Sequence, residues 1–370
     1  MKWLRTQLIA ALTRAAYILL LLATLHASAC NVPVFRYALE RWPAENYEAF
    51  LFHRGVLSEA DQQRVAALTN SIQRHNANLA LKIVDLAESH GMDEQKLWRT
   101  QTNALLPWIV LRAPEREEKD DSLWTGSFND SDSLTDSPAR RELAERLLRG
   151  DSVVWLMIAS GDPAQDEGVS VLLTNELKRL ESTLKLPPPA PDDPAPRSGM
   201  PLRIAFSIQH LARNAKGEEL FLRMLLHGEK VEQGKPVVVP VFGRARALTA
   251  LSGFELSRNV FSQAAAFLCG ACSCEVKDLN PGKDLLVAAN WEAVFAGAPP
   301  AASEPAIIAG ERVSIAPGNV AVAAAPTPAR PVDAPNERRG LKMLASVTLA
   351  FVCIIVLILG ITMLRSLRRH

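Results

Sequence analysis

Met343 to Leu364 is a run of 22 residues without a charge, and no other feature constrains the chain as strongly. At about 1.5 Å per helical residue it reaches roughly 33 Å, enough to cross the hydrocarbon core of a bilayer. With Ile354-Ile355-Val356-Leu357-Ile358-Leu359 inside it, the run reads as one transmembrane helix over 341–364. Arg338, Arg339 and Lys342 precede it, and Arg365, Arg368 and Arg369 follow it. Such balanced flanks leave its orientation open.

The first 29 residues settle the orientation. Lys2, Arg5 and Arg14 form a basic region, Tyr17 to Leu25 is apolar, and Ala27-Ser28-Ala29 supplies small residues for signal peptidase. Residues 1–29 are expected to be a signal peptide removed on export. The body then lies on the extracytoplasmic (periplasmic) side of a bacterial-type cell membrane, and 365–370 is a short basic cytoplasmic tail. Cys30 follows the leader directly. It reads either as a lipid-bearing cysteine or as an ordinary residue, since Ala27 stands where lipoproteins usually carry an aliphatic side chain.

Composition excludes several classes. The 370 residues are 48% hydrophobic and 22% charged, which rules out a wholly disordered chain. Lys and Arg number 41 against 40 acidic residues, so nothing marks a nucleic-acid binder. Five cysteines are too few for a disulfide-dense scaffold.

Prolines divide the rest. Pro187-Pro188-Pro189-Ala190-Pro191 with Pro194 and Pro196 predicts a stiff linker over 187–200. Residues 296–340 are rich in Pro and Ala and read as a stalk. Two α/β units are expected, 30–186 and 201–295. In the first, Val34 to Trp42 has helical character, Tyr47 to His53 reads as a strand, and Ser58 to His90 reads as one long helical region with Ser58 as its cap. Leu105 to Leu111 is a buried strand and the acidic, Ser-rich stretch 115–137 a surface loop. Ser137 caps a helix with Pro138 at its first position. Val153 to Ile158 is a strand and Glu167 to Leu184 a helix. In the second unit, strands at Leu202 to Ile208 and Pro236 to Phe242 flank a helix at Gly217 to Leu226, and a helix at Asn259 to Leu268 leads into the cysteines. Alternating strands and helices predict α/β layers with a parallel or mixed sheet.

This alternation, with Cys30 just ahead of the first helix, resembles the thioredoxin-like fold. On that resemblance Pro107 matches the family's cis-proline. Cys30-Asn31-Val32-Pro33 has one sulfur where the family has a redox pair. Separately, the stretches Cys30 to Trp42 and Cys269 to Trp291 resemble a family of exported bacterial proteins, a resemblance that implies no activity.

Cys269-Gly270-Ala271-Cys272-Ser273-Cys274 puts three thiols in six residues. Outside the cytoplasm such thiols oxidise. One reading ties Cys30 to one of the three and joins the remaining two, most simply Cys269 to Cys272, because a Cys272–Cys274 ring is strained. A second is a redox-active Cys269/Cys272 pair, although Cys269 would stand at a helix carboxyl end, where a thiolate is disfavoured. A third is a zinc or iron–sulfur site with Cys30, Cys269, Cys272 and Cys274 as ligands. In a fourth, Cys30 carries lipid and the cluster keeps one bridge. Arg244 and Arg246, after a strand, are a candidate anion site if a helix begins near Arg246. His53 ends a strand with nothing nearby in sequence to complete a triad. The chain lacks a Gly-rich phosphate loop, a His-Glu-x-x-His and a Gly-x-Ser-x-Gly.

The expected function is a membrane-anchored extracytoplasmic binding or assembly protein with envelope protein partners and no cofactor. The alternatives are a tethered thiol–disulfide oxidoreductase using Cys269 and Cys272, and a metal or iron–sulfur carrying module.

Overall fold

The computed structural model describes residues 30–295, apart from 89–90, 115–121, 192 and 273–274. The expected leader, stalk, transmembrane run and basic tail lie outside the described residues, as do Cys274 and Cys353. Among the described residues no helix is long and apolar enough to cross a membrane.

The architecture is mixed α/β. In chain order the elements are β1 (Cys30–Pro33), α1 (Val34–Arg41), β2 (Tyr47–His53), α2 (Glu59–Arg74), β3 (Leu79–Asp85), α3 (Met92–Arg99), β4 (Trp108–Arg112), β5 (Ser122–Ser127) and α4 (Pro138–Leu148). They continue with β6 (Val153–Ile158), α5 (Pro163–Thr183), β7 (Phe206–Leu211), α6 (Glu219–Leu226), β8 (Val237–Phe242), β9 (Arg246–Ala247), β10 (Leu251–Ser252), α7 (Arg258–Cys269), β11 (Ala271–Cys272) and β12 (Lys283–Asp284).

Two principal sheets share one plan. The first has the order β3-β2-β4-β5 and the second β12-β9-β8-β6-β7, with β10 also on β8. In each, a central strand (β2 or β6) has a parallel neighbour reached through a helix and an antiparallel neighbour on its other side. β1 and β11 form a separate antiparallel pair. The Leu106–Pro107 peptide bond is cis and leads directly into β4.

Burial follows the period of the strands. Ala49, Leu51, Ile109 and Leu111 of the first sheet share a core with Val154, Leu156, Ile158, Val237, Val239 and Val241 of the second. The opposite face of the second sheet, with Val153, Trp155, Met157, Val238 and Phe242, packs on β1, α1, α5 and α7. Both faces of β6 and β8 are thus covered, which explains their unbroken apolar sequences. Pro240 sits inside β8 and has no N–H to donate. Its carbonyl accepts from Leu248 N at 2.8 Å, so its missing donor faces the β9–β10 side. That is where the ladder breaks between those two short strands.

Several expectations are corrected. The helical region Ser58 to His90 is α2 followed by β3: the chain turns at Asn76, whose φ is 50°, and Leu79–Asp85 lies parallel to β2 over seven paired residues. Ser58 does cap α2, accepting from Asp61 N at 3.1 Å. Residues 122–127, expected in a surface loop, form an edge strand on β4. The strand placed at Leu202 to Ile208 runs from Phe206 to Leu211.

The division at 187–200 does not separate two sheets. β6, from the expected first unit, pairs with both β7 and β8 of the second. Nor does the proline-rich stretch stand clear as a spacer. It is strapped to β1 and α1: Asp193 accepts from Asn31 N at 2.7 Å, and Arg41 donates to Ala195 O at 2.7 Å. Glu40, buried in α1, accepts from Arg197 N at 3.0 Å and Ser198 N at 3.2 Å. Arg36, one turn earlier, faces Glu40 at 3.5 Å and donates to Met200 O at 2.6 Å. Helix α1 can be buried all round because these two charges are paired.

Candidate functional site

The thiols come first. Ser257 caps α7 through Val260 N, and Cys269 is the last residue of that helix. Gly270 then turns the chain into β11. A Cβ at Gly270 would lie 2.7 Å from Ala266 O, so the glycine of Cys-Gly-Ala-Cys answers to close backbone packing. Its carbonyl accepts from Val34 N at 3.0 Å, joining α7 to the start of α1. Residue 272 is thereby brought opposite residue 30 in the β1–β11 ladder.

Cys30, Cys269 and Cys272 are all buried, in one apolar cluster with Tyr37, Trp42 and Leu268. Burial pushes the Cys269 thiol up to about 12. It also raises Cys30. The negative end of the α7 dipole acts on Cys269 in the same direction. A nucleophilic thiolate needs the opposite surroundings, electropositive and open to solvent. The metal reading meets a separate obstacle. Among the described residues no three His, Cys, Asp or Glu side chains come together as a metal site, and Cys274 lies outside them.

The candidate anion site at Arg244 and Arg246 is conditional on a helix beginning near Arg246, and that condition is not met. No helix starts there; Arg246 opens β9 after a tight turn with Gly243 at φ 60° and Ala245 at φ 59°. Arg244 donates to Leu39 O in the last turn of α1 at 2.8 Å and pairs with Glu292 at 3.0 Å. Arg246 is 3% exposed. It pairs with Asp284 at 3.0 Å and donates to Asn280 O at 2.9 Å. Asp284 also receives Lys277 and, at 2.7 Å, Glu45 N. Both guanidinium groups are spent on holding neighbouring segments. His53 is equally local: its Nδ1 lies 2.8 Å from Gly55 O, while Gly55 N donates to Asp85.

Among the described residues, exposed apolar side chains also gather at the end of each sheet where the central strand runs out. In the first sheet, Val56 follows β2, Leu105 precedes β4 and Met92 opens α3; all three are strongly exposed. In the second, a groove of about 480 Å³ lies between the first turns of α5, the approach to β8 and the segment after β10. Ala164, Gly168, Val169, Leu172, Pro236, Phe254 and Leu256 give it an apolar lining, with Gln165, Glu232 and Lys235 as its polar members. Asp162 caps α5 through Ala164 N at 2.9 Å, with Pro163 in the first turn. Gly253 has a φ of 57°, and the Glu232 carboxylate occupies the space its Cβ would need. Next to it Phe254 is 89% exposed.

Gly168 is the informative residue. It lies inside a 21-residue helix, where glycine costs about 1 kcal/mol relative to alanine. Within the described residues nothing lies within 4 Å of the Cβ it lacks. No internal packing explains it, and the helix backbone is left open to the groove. The sequence reading missed this position because it began the helix at Glu167, which put Gly168 in the first turn. The interior glycine and Phe254 beside Gly253 were the available signals.

No protein-family model matches the chain, and no curated protein matches it in sequence.

Proposed function

We propose that this protein is a membrane-anchored extracytoplasmic binding module, a non-catalytic accessory of a bacterial envelope assembly. Its docking site is the groove over Gly168, and the occupant is an extended segment of an envelope protein that brings an apolar side chain against Phe254. Gly168 carries the reading: a helix-interior glycine with open space above it lets a partner's backbone approach closely. The groove is open to solvent along its length, which suits an extended segment rather than an enclosed small ligand.

The alternation of strand and helix through both sheets supports the thioredoxin-like reading of the fold. The turns after the two central strands, Arg54-Gly55-Val56-Leu57 and Ala159-Ser160-Gly161-Asp162, hold no sulfur. Burial and the raised pKa of Cys269 weigh against it as the nucleophile of a thiol–disulfide oxidoreductase. Export and anchoring rest on the leader and the uncharged run of the sequence.

Site-specific photo-cross-linking in the intact membrane tests the proposal. A photoreactive residue at Val169 is expected to capture one discrete envelope protein, and one at exposed Lys178, further along α5, is not. Equal capture at both positions, or capture only of this chain's own stalk or a second copy, overturns it. Insulin reduction by the purified full chain would overturn the non-catalytic part.

A further inference from the structure

We infer that Cys30 and Cys272 form a cross-strand disulfide in the mature protein, with Cys269 left as a buried thiol. The register of β1 and β11 makes Cys30 and Cys272 direct partners. The ladder is irregular between Cys30 and Pro33 and both sulfurs are free thiols in the structure, so bridging them takes a local adjustment of two strands that already pair at these residues. Both side chains are buried in the same apolar cluster. Tyr37 of α1 belongs to the same cluster. Cys269 belongs to the preceding helix rather than to the ladder.

This pairing differs from the simplest reading of the sequence, which joins Cys269 to Cys272. It also occupies the sulfur a lipid would need. In the oxidation each thiol loses its proton, one S–S bond forms, and two electrons pass to a protein disulfide of the exporting compartment, which becomes a dithiol. The bridge ties the first described residue to the segment after α7, across the whole described body.

Peptide mapping of the full chain, expressed with its own leader and alkylated without reduction, tests the pairing. Trypsin is expected to yield the peptide 30–36 linked to 259–277, with fragmentation placing the bond at residue 272. The link is expected to persist in Cys269→Ser and Cys274→Ser and to vanish in Cys272→Ser. Fragmentation of the wild-type pair gives the answer even if Cys272→Ser does not fold. A bond from Cys30 to residue 269 or 274, a Cys269–Cys272 bridge, complete alkylation, or a diacylglycerol mass on Cys30 would overturn the inference.

Discussion

Side chains that a sequence search marks as chemistry turn out here to be tied down. Cys269 shows why most clearly. Its thiol is raised to about 12, while in the unfolded chain it titrates near 9. The folded state therefore holds a proton the unfolded state has lost, and stability falls as pH rises from about 9 towards 12. Replacing Cys269 with alanine is expected to flatten that limb, by up to roughly 1.4 kcal/mol per pH unit, in denaturant melts between pH 9 and 11. Equal slopes in the two proteins would contradict the assignment. Gly270→Ala presses a methyl group on Ala266 O and is expected to cost about 1–3 kcal/mol by the same melts. The sulfur cluster was legible from spacing alone, and so was the unfavourable helix end at Cys269. The partners of Arg244 and Arg246 were not. They come from Leu39, Asp284 and Glu292, far away in sequence, and no local pattern announces a long-range ion pair.

Elements were legible where period and punctuation agree. The caps Ser58 and Ser137 and the apolar runs of β2, β6 and β8 are where the sequence puts them. The failures lie where the ladder decides. Leu79–Asp85 has helix-compatible residues, yet it pairs with β2, and strand pairing outweighs weak local propensity. At this scale α5 yields the sharpest prediction. Gly168→Ala removes a costly helix glycine into empty space, so stability is expected to rise by about 0.5–1 kcal/mol in thermal melts. No gain would mean that the helix is already strained or differently packed at that turn.

For the whole molecule, the described body is held together from its beginning. α1 lies on α7 and β8, β1 pairs with β11, the proline-rich strap closes over them, and Glu40 and Arg36 join strap to helix. Composition made that stretch look like a spacer, because prolines signal stiffness and say nothing about what they rest on. Glu40→Ala would leave Arg36 buried without its acid and the strap without its acceptor. A loss of about 3–5 kcal/mol and faster tryptic cleavage at Arg197 are expected. Unchanged proteolysis would mean that the strap is held by other contacts. The docking role itself is tested most directly by plugging the groove. With a photoreactive residue at Val169 in the full chain, the cross-linked yield is compared between the wild-type Gly168 protein and Gly168→Trp. The account predicts folded protein in both and loss of the adduct with Trp. An undiminished adduct from a folded Gly168→Trp protein would contradict it.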